Sequence, residues 1–243
     1  MRNALAAVLE ESGFVVVKAA NAEAAAARLL EQSFDLAILD KNLPGQSGIE
    51  LLRWIRKESP SLAVIVMTAF ASPDSIKDTL NLSVDAYLDK PFPDIFEVVD
   101  TARSVVAARH ATDRARAAGA SKRPRVVLVV TPDTIAADAL SAPLLGRADL
   151  LRSADGQPLG DVPHAAVVDA RRFPANLPEV VAGICAWAPG CRVWVVSNDD
   201  LPIPVLRALV RARADRLLTL DEYPQEAREL IEAPGVMMSP RGR

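Results

Sequence analysis

The sequence predicts an α/β protein built from two doubly wound parallel sheets, and three observations carry that reading. Short β-branched runs alternate with helix-period segments along all 243 residues, the pattern of strands joined by crossover helices. Apolar runs end in polar residues at matching places in the two halves. Asp40 answers to Asp169 and Thr68 to Ser197, each pair 129 residues apart, which indicates a structural duplication. Finally, 50% of the residues are hydrophobic, 24% are charged and the mean hydropathy is +0.15, enough for two cores at roughly 100–200 residues per domain.

In the first half, a helix over 2–12 stops at Gly13, a strand follows at 14–17, and Asn21 caps a helix over 22–32. The next strand, 36–39, leads into the loop 40–46. Ser47 then caps a helix whose apolar face is Ile49, Leu51, Leu52 and Ile55, and Pro60 follows its end. Strand 63–67, helix 73–81, strand 86–88 and a helix from Pro93 to about Ala117 complete this half. One strand is missing, because a right-handed crossover into 14–17 needs a strand before the first helix. The second half supplies its counterpart at 126–130. It continues with helix 134–145, strand 149–153, strand 165–168, helix 178–187, strand 192–196, helix 204–214, strand 216–220 and helix 225–232.

Composition excludes several classes. The longest apolar runs, such as 126–130, fall far short of the ~18–20 residues of a bilayer span, and Glu10 and Glu11 come too early for a secretory signal. A cytoplasmic location without membrane partners is expected. Cys185 and Cys191 are too few for a disulfide framework and fit no common zinc spacing, so they read as core residues. Net charge is −3, unevenly spread: residues 1–108 carry 10 basic and 15 acidic groups, 109–125 carry 6 and 1, and 126–243 carry 12 and 15. The basic stretch reads as a helix extension and linker with a boundary near residue 122. It has no aromatic residues for base stacking, so nucleic acid is not expected as a partner.

Ligands gather at the carboxyl ends of strands in such sheets. Asp40, Thr68 and Lys90 fall there, and a carboxylate, a hydroxyl and an ammonium together suit phosphoryl chemistry as nucleophile, hydrogen-bond donor and charge neutraliser. Three segments sharpen this: Asp35-Leu-Ala-Ile-Leu-Asp40 through Pro44-Gly45-Gln-Ser-Gly48, then Val64-Ile-Val-Met-Thr68-Ala69, then Asp85-Ala-Tyr87-Leu-Asp-Lys90-Pro91-Phe92. With 28 residues from Asp40 to Thr68 and 22 from Thr68 to Lys90, residues 1–108 resemble the receiver domain of bacterial two-component response regulators. The resemblance implies a flavodoxin-like sheet of strand order 2-1-3-4-5, the first copy lacking its central strand one. It implies that Asp40 accepts a phosphoryl group from a histidine kinase and that Asp40 and the Asn42 carbonyl bind Mg2+. Thr68, Lys90 and the amides of Lys41 and Ala69 would hold the phosphoryl oxygens. Tyr87 would couple Thr68 to the face made by helix 73–81, strand 86–88 and the helix that follows. Lys90–Pro91 would be a cis peptide, and Asn42 and Phe70 would tune dephosphorylation.

The family's acidic pair at the end of strand one is absent, so Mg2+ binding is expected to be weak or missing. Losing that strand should leave its two neighbours unpaired. The favoured reading is that the true chain begins upstream of Met1, and the other is that a partner's strand fills the gap. In the second half, Thr131-Pro132 follow the first strand, and Thr219 stands at the position of Lys90. Residues 126–234 therefore read as a degenerate receiver whose Asp169 is structural, a module for dimerisation or docking with 201–216 as a candidate surface. The residues past 234 are a tail. No output enzyme follows, so the chain is read as a phosphoacceptor that signals through a downstream protein or a homodimer. The alternatives are a phosphorylation-independent scaffold and, more weakly, a DNA-associated regulator acting through the basic linker.

Overall fold

The computed structural model describes residues 1–43, 47–69, 72–119, 126–173, 175–198 and 200–232. It forms two compact units, one of Met1–Asp113 with Leu201–Arg216, the other of the remaining residues.

The first unit begins with helices α1 (Arg2–Glu11) and α2 (Ala22–Glu31), then β1 (Leu36–Asp40), α3 (Gly48–Glu58), β2 (Ala63–Thr68), α4 (Pro73–Asn81), β3 (Ala86–Asp89) and the long α5 (Phe96–Gly119). The three strands pair in parallel in the order β1-β2-β3, Leu36 facing Ala63 and Ile65 facing Ala86. Every residue of β2 is buried. Ala63, Ile65 and Met67 face a core made with Leu5 and Leu9 of α1 and Val98, Val99, Ala102 and Val105 of α5. Alternation sends Val64 and Val66 to the opposite face, and Leu52, Ile55, Ile76 and Leu80 of α3 and α4 are fully buried. Reciprocal hydrogen bonds of Ser47 with Glu50 and of Ser72 with Ser75 start α3 and α4, satisfying amide groups that a helix cannot pair internally.

The expected strand at 14–17 does not form. In the order 2-1-3-4-5 that segment pairs only with strand one, and without a partner its amides find no ladder. Val15 is 96% exposed as a result, and α2 buries only Ala22. The basic stretch from 109 also changes meaning. Residues 109–119 continue α5, and its first members are tied into the first unit. Arg109 donates to Asp85, Ser61 and Pro60, and His110 pairs with Asp35. Residues 120–125 and the tail 235–243 lie outside the described residues.

The second unit holds a complete five-stranded parallel sheet. Its strands are β4 (Val126–Val130), β5 (Asp149–Ser153), β6 (Ala165–Asp169), β7 (Arg192–Val196) and β8 (Arg216–Leu218), ordered β5-β4-β6-β7-β8. This is 2-1-3-4-5 when counted from its own first strand. The segment 134–145 divides into α6 (Thr134–Ser141) and a 3-10 turn (Ala142–Leu144), since Pro143 has no amide hydrogen to continue the helix. Helices α7 (Leu177–Trp187) and α9 (Tyr223–Glu232) follow the sequence reading closely. Val127, Val129, Leu140, Val167, Trp194 and Tyr223 form the core, and Tyr223 donates its hydroxyl to the Leu140 carbonyl at 2.8 Å. Helix α8 (Ile203–Ala212) lies between β7 and β8 in the chain, yet its residues belong to the first compact unit.

Candidate functional site

The ends of β1, β2 and β3 bring the three expected residues onto one edge of the first sheet. Asp40 closes β1, and its carboxylate accepts from Lys90 Nζ at 2.7 Å and from the Asn42 amide at 3.0 Å. Both partners are partly buried, with side chains 24% and 14% exposed, which strengthens their attraction relative to water. Thr68 closes β2 and is fully buried. Its carbonyl accepts the Lys90 amide at 2.6 Å, which seats the lysine at the sheet end, and Lys90–Pro91 is cis as expected. Tyr87, on the central part of β3, is buried, and its hydroxyl has no hydrogen-bond partner among the described residues.

The backbone donors behave differently from one another. The Lys41 amide donates to the Met67 carbonyl at 2.8 Å, continuing the ladder beyond β1, while Ala69 is exposed. Pro44, Gly45, Gln46 and Phe70 lie outside the described residues.

Two features of this site escaped the sequence reading. A Cβ on Gly48 would lie 2.2 Å from the Asp40 carbonyl oxygen, so only glycine lets α3 start this close to the acceptor strand. The Gly48 amide uses that closeness to donate to the Lys41 carbonyl at 2.9 Å. At the opposite end of the strands, Asp85 binds the Val64 amide and two arginines, Arg56 from α3 and Arg109 from α5. Arg56 also donates to the carbonyls of Leu62, Leu82 and Ser83. Burial lowers the Arg56 guanidinium to about 10, with Asp85's carboxylate opposing the shift and Arg109's charge adding to it. This clamp joins three elements into one rigid support, and a lone Asp before a strand gives no sequence signal of it.

The corresponding place in the second sheet is filled from within. Asp169 closes β6 and is fully buried. Arg171 Nε and Nη2 meet its two oxygens at 2.7 and 2.8 Å, and Thr131 Oγ1 donates at 3.3 Å. That hydrogen-bonded fork raises the Arg171 pKa. Ser197 is buried after β7. Thr219 exchanges hydrogen bonds with Glu222 before α9, a helix-start pattern rather than a phosphoryl contact. Asp133 caps α6 through the amides of Ile135 and Ala136.

Fold and site together define a parallel α/β domain that presents a carboxylate, a paired ammonium and a buried hydroxyl at the strand ends. Residues 1–103 match the response regulator receiver domain. The chain is 36% identical over 92 residues to the two-component response regulator PhoP of Pseudomonas aeruginosa, covering 38% of this chain and 41% of that protein. It is 37% identical over 90 residues to a cyclic di-GMP phosphodiesterase of Thermotoga maritima, covering 37% of this chain and 24% of that one. The chain therefore spans less than half the length of these relatives. A receiver domain protein of Methanospirillum hungatei JF-1 aligns in structure with 29% identity and a TM-score of 0.43, over 44% of this chain and 86% of that one. Among the described residues no helix is long and apolar enough to cross a membrane.

Proposed function

We propose that the first unit accepts a phosphoryl group on Asp40 from a histidine kinase and that the chain signals through protein contacts, with a downstream protein or a second copy as partner. The observation that carries this reading is the 2.7 Å pair between Lys90 and Asp40, beside the buried Thr68. In the transfer, the bond from phosphorus to the donor histidine's nitrogen breaks and a bond from phosphorus to an Asp40 Oδ forms, the electron pair leaving with the imidazole. Lys90 offsets the charge that accumulates on the phosphoryl oxygens, and Thr68 offers a hydroxyl donor.

The receiver family implies Mg2+, but the residues present do not fit it well. Among the described residues no group of three or more His, Cys, Asp or Glu could hold a metal ion. Asp40 and the Asn42 carbonyl form a thin donor set for a hard cation that takes about six oxygens, so no step is assigned to the ion.

For residues 126–232 a phosphorylation-independent, degenerate receiver is the better reading, supported by Arg171, which occupies both oxygens of Asp169.

The test is incubation of the full chain with acetyl phosphate and Mg2+, followed by intact mass measurement. A phosphoryl adduct lost in Asp40→Ala and retained in Asp169→Ala is expected. Absence of any Asp40-dependent adduct would refute the acceptor assignment.

A further inference from the structure

The two edges of the second sheet are unlike. At one edge β8 is three residues long, a length that limits pairing with another backbone. At the other, β5 runs for five residues with no proline or lysine to blunt it, and among the described residues it pairs with β4 alone. The Thr131 amide donates to the Ser153 carbonyl at 2.9 Å, so Ser153 faces β4, and Leu151 and Asp149 face it too. The N–H and C=O groups of Leu150 and Arg152 therefore point outward. Among the described residues no backbone hydrogen bond reaches them.

Apolar surface gathers around the same strand. In the second unit the exposed large apolar side chains among the described residues are Ile135, Leu145, Leu159 and Val162. Ile135 lies on α6 and Leu145 just after the 3-10 turn, on the way into β5. Arg152 of β5 reaches Asp138 of α6 at 2.8 Å, which holds that helix beside the edge. Leu159 and Val162 lie in the connection 154–164 that leaves β5. The stretch 201–216 suggested by sequence is less open, because α8 packs on α4 and β3 and buries Leu206, Leu209 and Val210.

We infer that the outer edge of β5 is an interface between two copies of this chain. The β5 strands pair antiparallel about a two-fold axis at Leu151 and join two five-stranded sheets into one. The outward groups suit this register. It sets Leu150 opposite Arg152 of the second copy, and the reverse, so each pair exchanges N–H···O=C bonds in both directions, while Leu151 meets its own counterpart as the closer, non-bonded pair. An axis at Arg152 would instead set two guanidinium groups against each other. Charge favours a second copy as the occupant. The segment 147–155 carries Arg147, Asp149, Arg152 and Asp155, with no net charge, and the same register brings Arg147 toward Asp155 of the second copy at both ends. The inference is independent of the acceptor reading, since the edge belongs to the second unit and Asp40 takes no part.

The test is sedimentation velocity of the full chain, without phosphodonor, over about 1–100 µM, with residue-level amide exchange at both ends of that range. The mass is expected to rise from 26.0 kDa toward twice that value. Protection of the Leu150 and Arg152 amides should grow with concentration about fivefold or more, whereas Leu151 and Ser153, which face β4, keep theirs. Arg152→Pro removes an outward N–H that the β4 ladder does not use and should weaken dimerisation about tenfold or more, while Arg152→Ala, which keeps that N–H, should weaken it less than about threefold. Arg147→Glu and Asp155→Arg should each weaken it about two- to fivefold, and the double swap should restore it. A chain that stays at 26.0 kDa throughout, a dimer that folded Arg152→Pro leaves intact, or protection at Leu150 and Arg152 that ignores concentration overturns the inference. If Arg152→Pro does not fold, the exchange pattern of the unmodified chain decides. Asp40→Ala should dimerise as the parent does, and a dimer lost there would place the interface on the first unit and overturn the inference as well.

Discussion

Arg171→Ala should be among the most destabilising single substitutions in the second unit. Asp169 has no exposed surface, and Arg171, 27% exposed, is its charged partner through two short bonds. Removing one partner of a buried pair typically costs about 3–5 kcal/mol, because the remaining charge stays desolvated. The partial exposure of Arg171 lets water reach part of the vacated space, so the low end, about 3 kcal/mol, is expected. With a urea slope of ~1–3 kcal/mol per molar, that moves the midpoint down by about 1–3 M. Asp169→Asn should cost less, about 1–2 kcal/mol, since it keeps an acceptor for Thr131 and the Arg171 amide and leaves an arginine able to hydrate. Asp169→Asn combined with Arg171→Ala should then be more stable than the sum of the single effects implies, by at least ~1 kcal/mol. Urea titrations followed by tryptophan fluorescence, which includes the buried Trp194, supply all four corners of the cycle. A loss below about 1 kcal/mol in Arg171→Ala, or strict additivity, would show that Arg171 is not the countercharge of this site.

Asp85→Ala should destabilise the first unit by about 3–5 kcal/mol, since it strands Arg56 and Arg109, each 13% exposed, and the Val64 amide; exchange of β2 amides reports it, and protection equal to wild type would contradict the clamp. Gly48→Ala forces backbone apart at a 2.2 Å approach and should cost about 1–3 kcal/mol while slowing Asp40 phosphorylation; an unchanged rate and urea midpoint would count against that role. Burial raises the Tyr223 pKa, so its stabilising contribution is complete below the unfolded value near 10 and is lost as pH rises above it. Tyr223→Phe should cost about 0.5–1.5 kcal/mol at neutral pH and flatten the alkaline limb above about pH 10, as read by denaturation at stepped pH. Asp133 shifts the other way, lowered first by the Ala136 amide and then by Arg172's charge; its contribution is complete above its unfolded value near 3.9 and lost as pH falls through the lower folded one. Asp133→Ala should therefore remove part of the acid sensitivity of α6, measurable by circular dichroism below about pH 4.

Much of the candidate site was legible because its parts are local. A strand's period, a capping serine such as Ser47 and a polar residue closing an apolar run are each written within a few positions, so β1, β2 and β3, with Asp40 and Thr68 ending the first two and Lys90 just past the third, could be placed from sequence. The segment 14–17 was misjudged as a strand because its β-branched run satisfies the local pattern, whereas a strand exists only where another backbone accepts its hydrogen bonds. Arg109 was read as part of a solvated helix extension for a similar reason: its role depends on Asp85, 24 positions away.

By sequence alone, this protein is read as two parallel α/β units, one closing its strands with Asp40, Thr68 and Lys90 and the other carrying Thr219 at the 129-residue offset from Lys90. Only the tertiary structure decided that Arg171 closes the second edge, that Gly48 lets α3 begin against Asp40, and that α8 rests on α4 and β3. Periodicity and spacing record which way each side chain leans along its own element. They do not record which distant atoms meet it, and those meetings set the charge balance at Asp169 and the occupancy of the α4–β3 face.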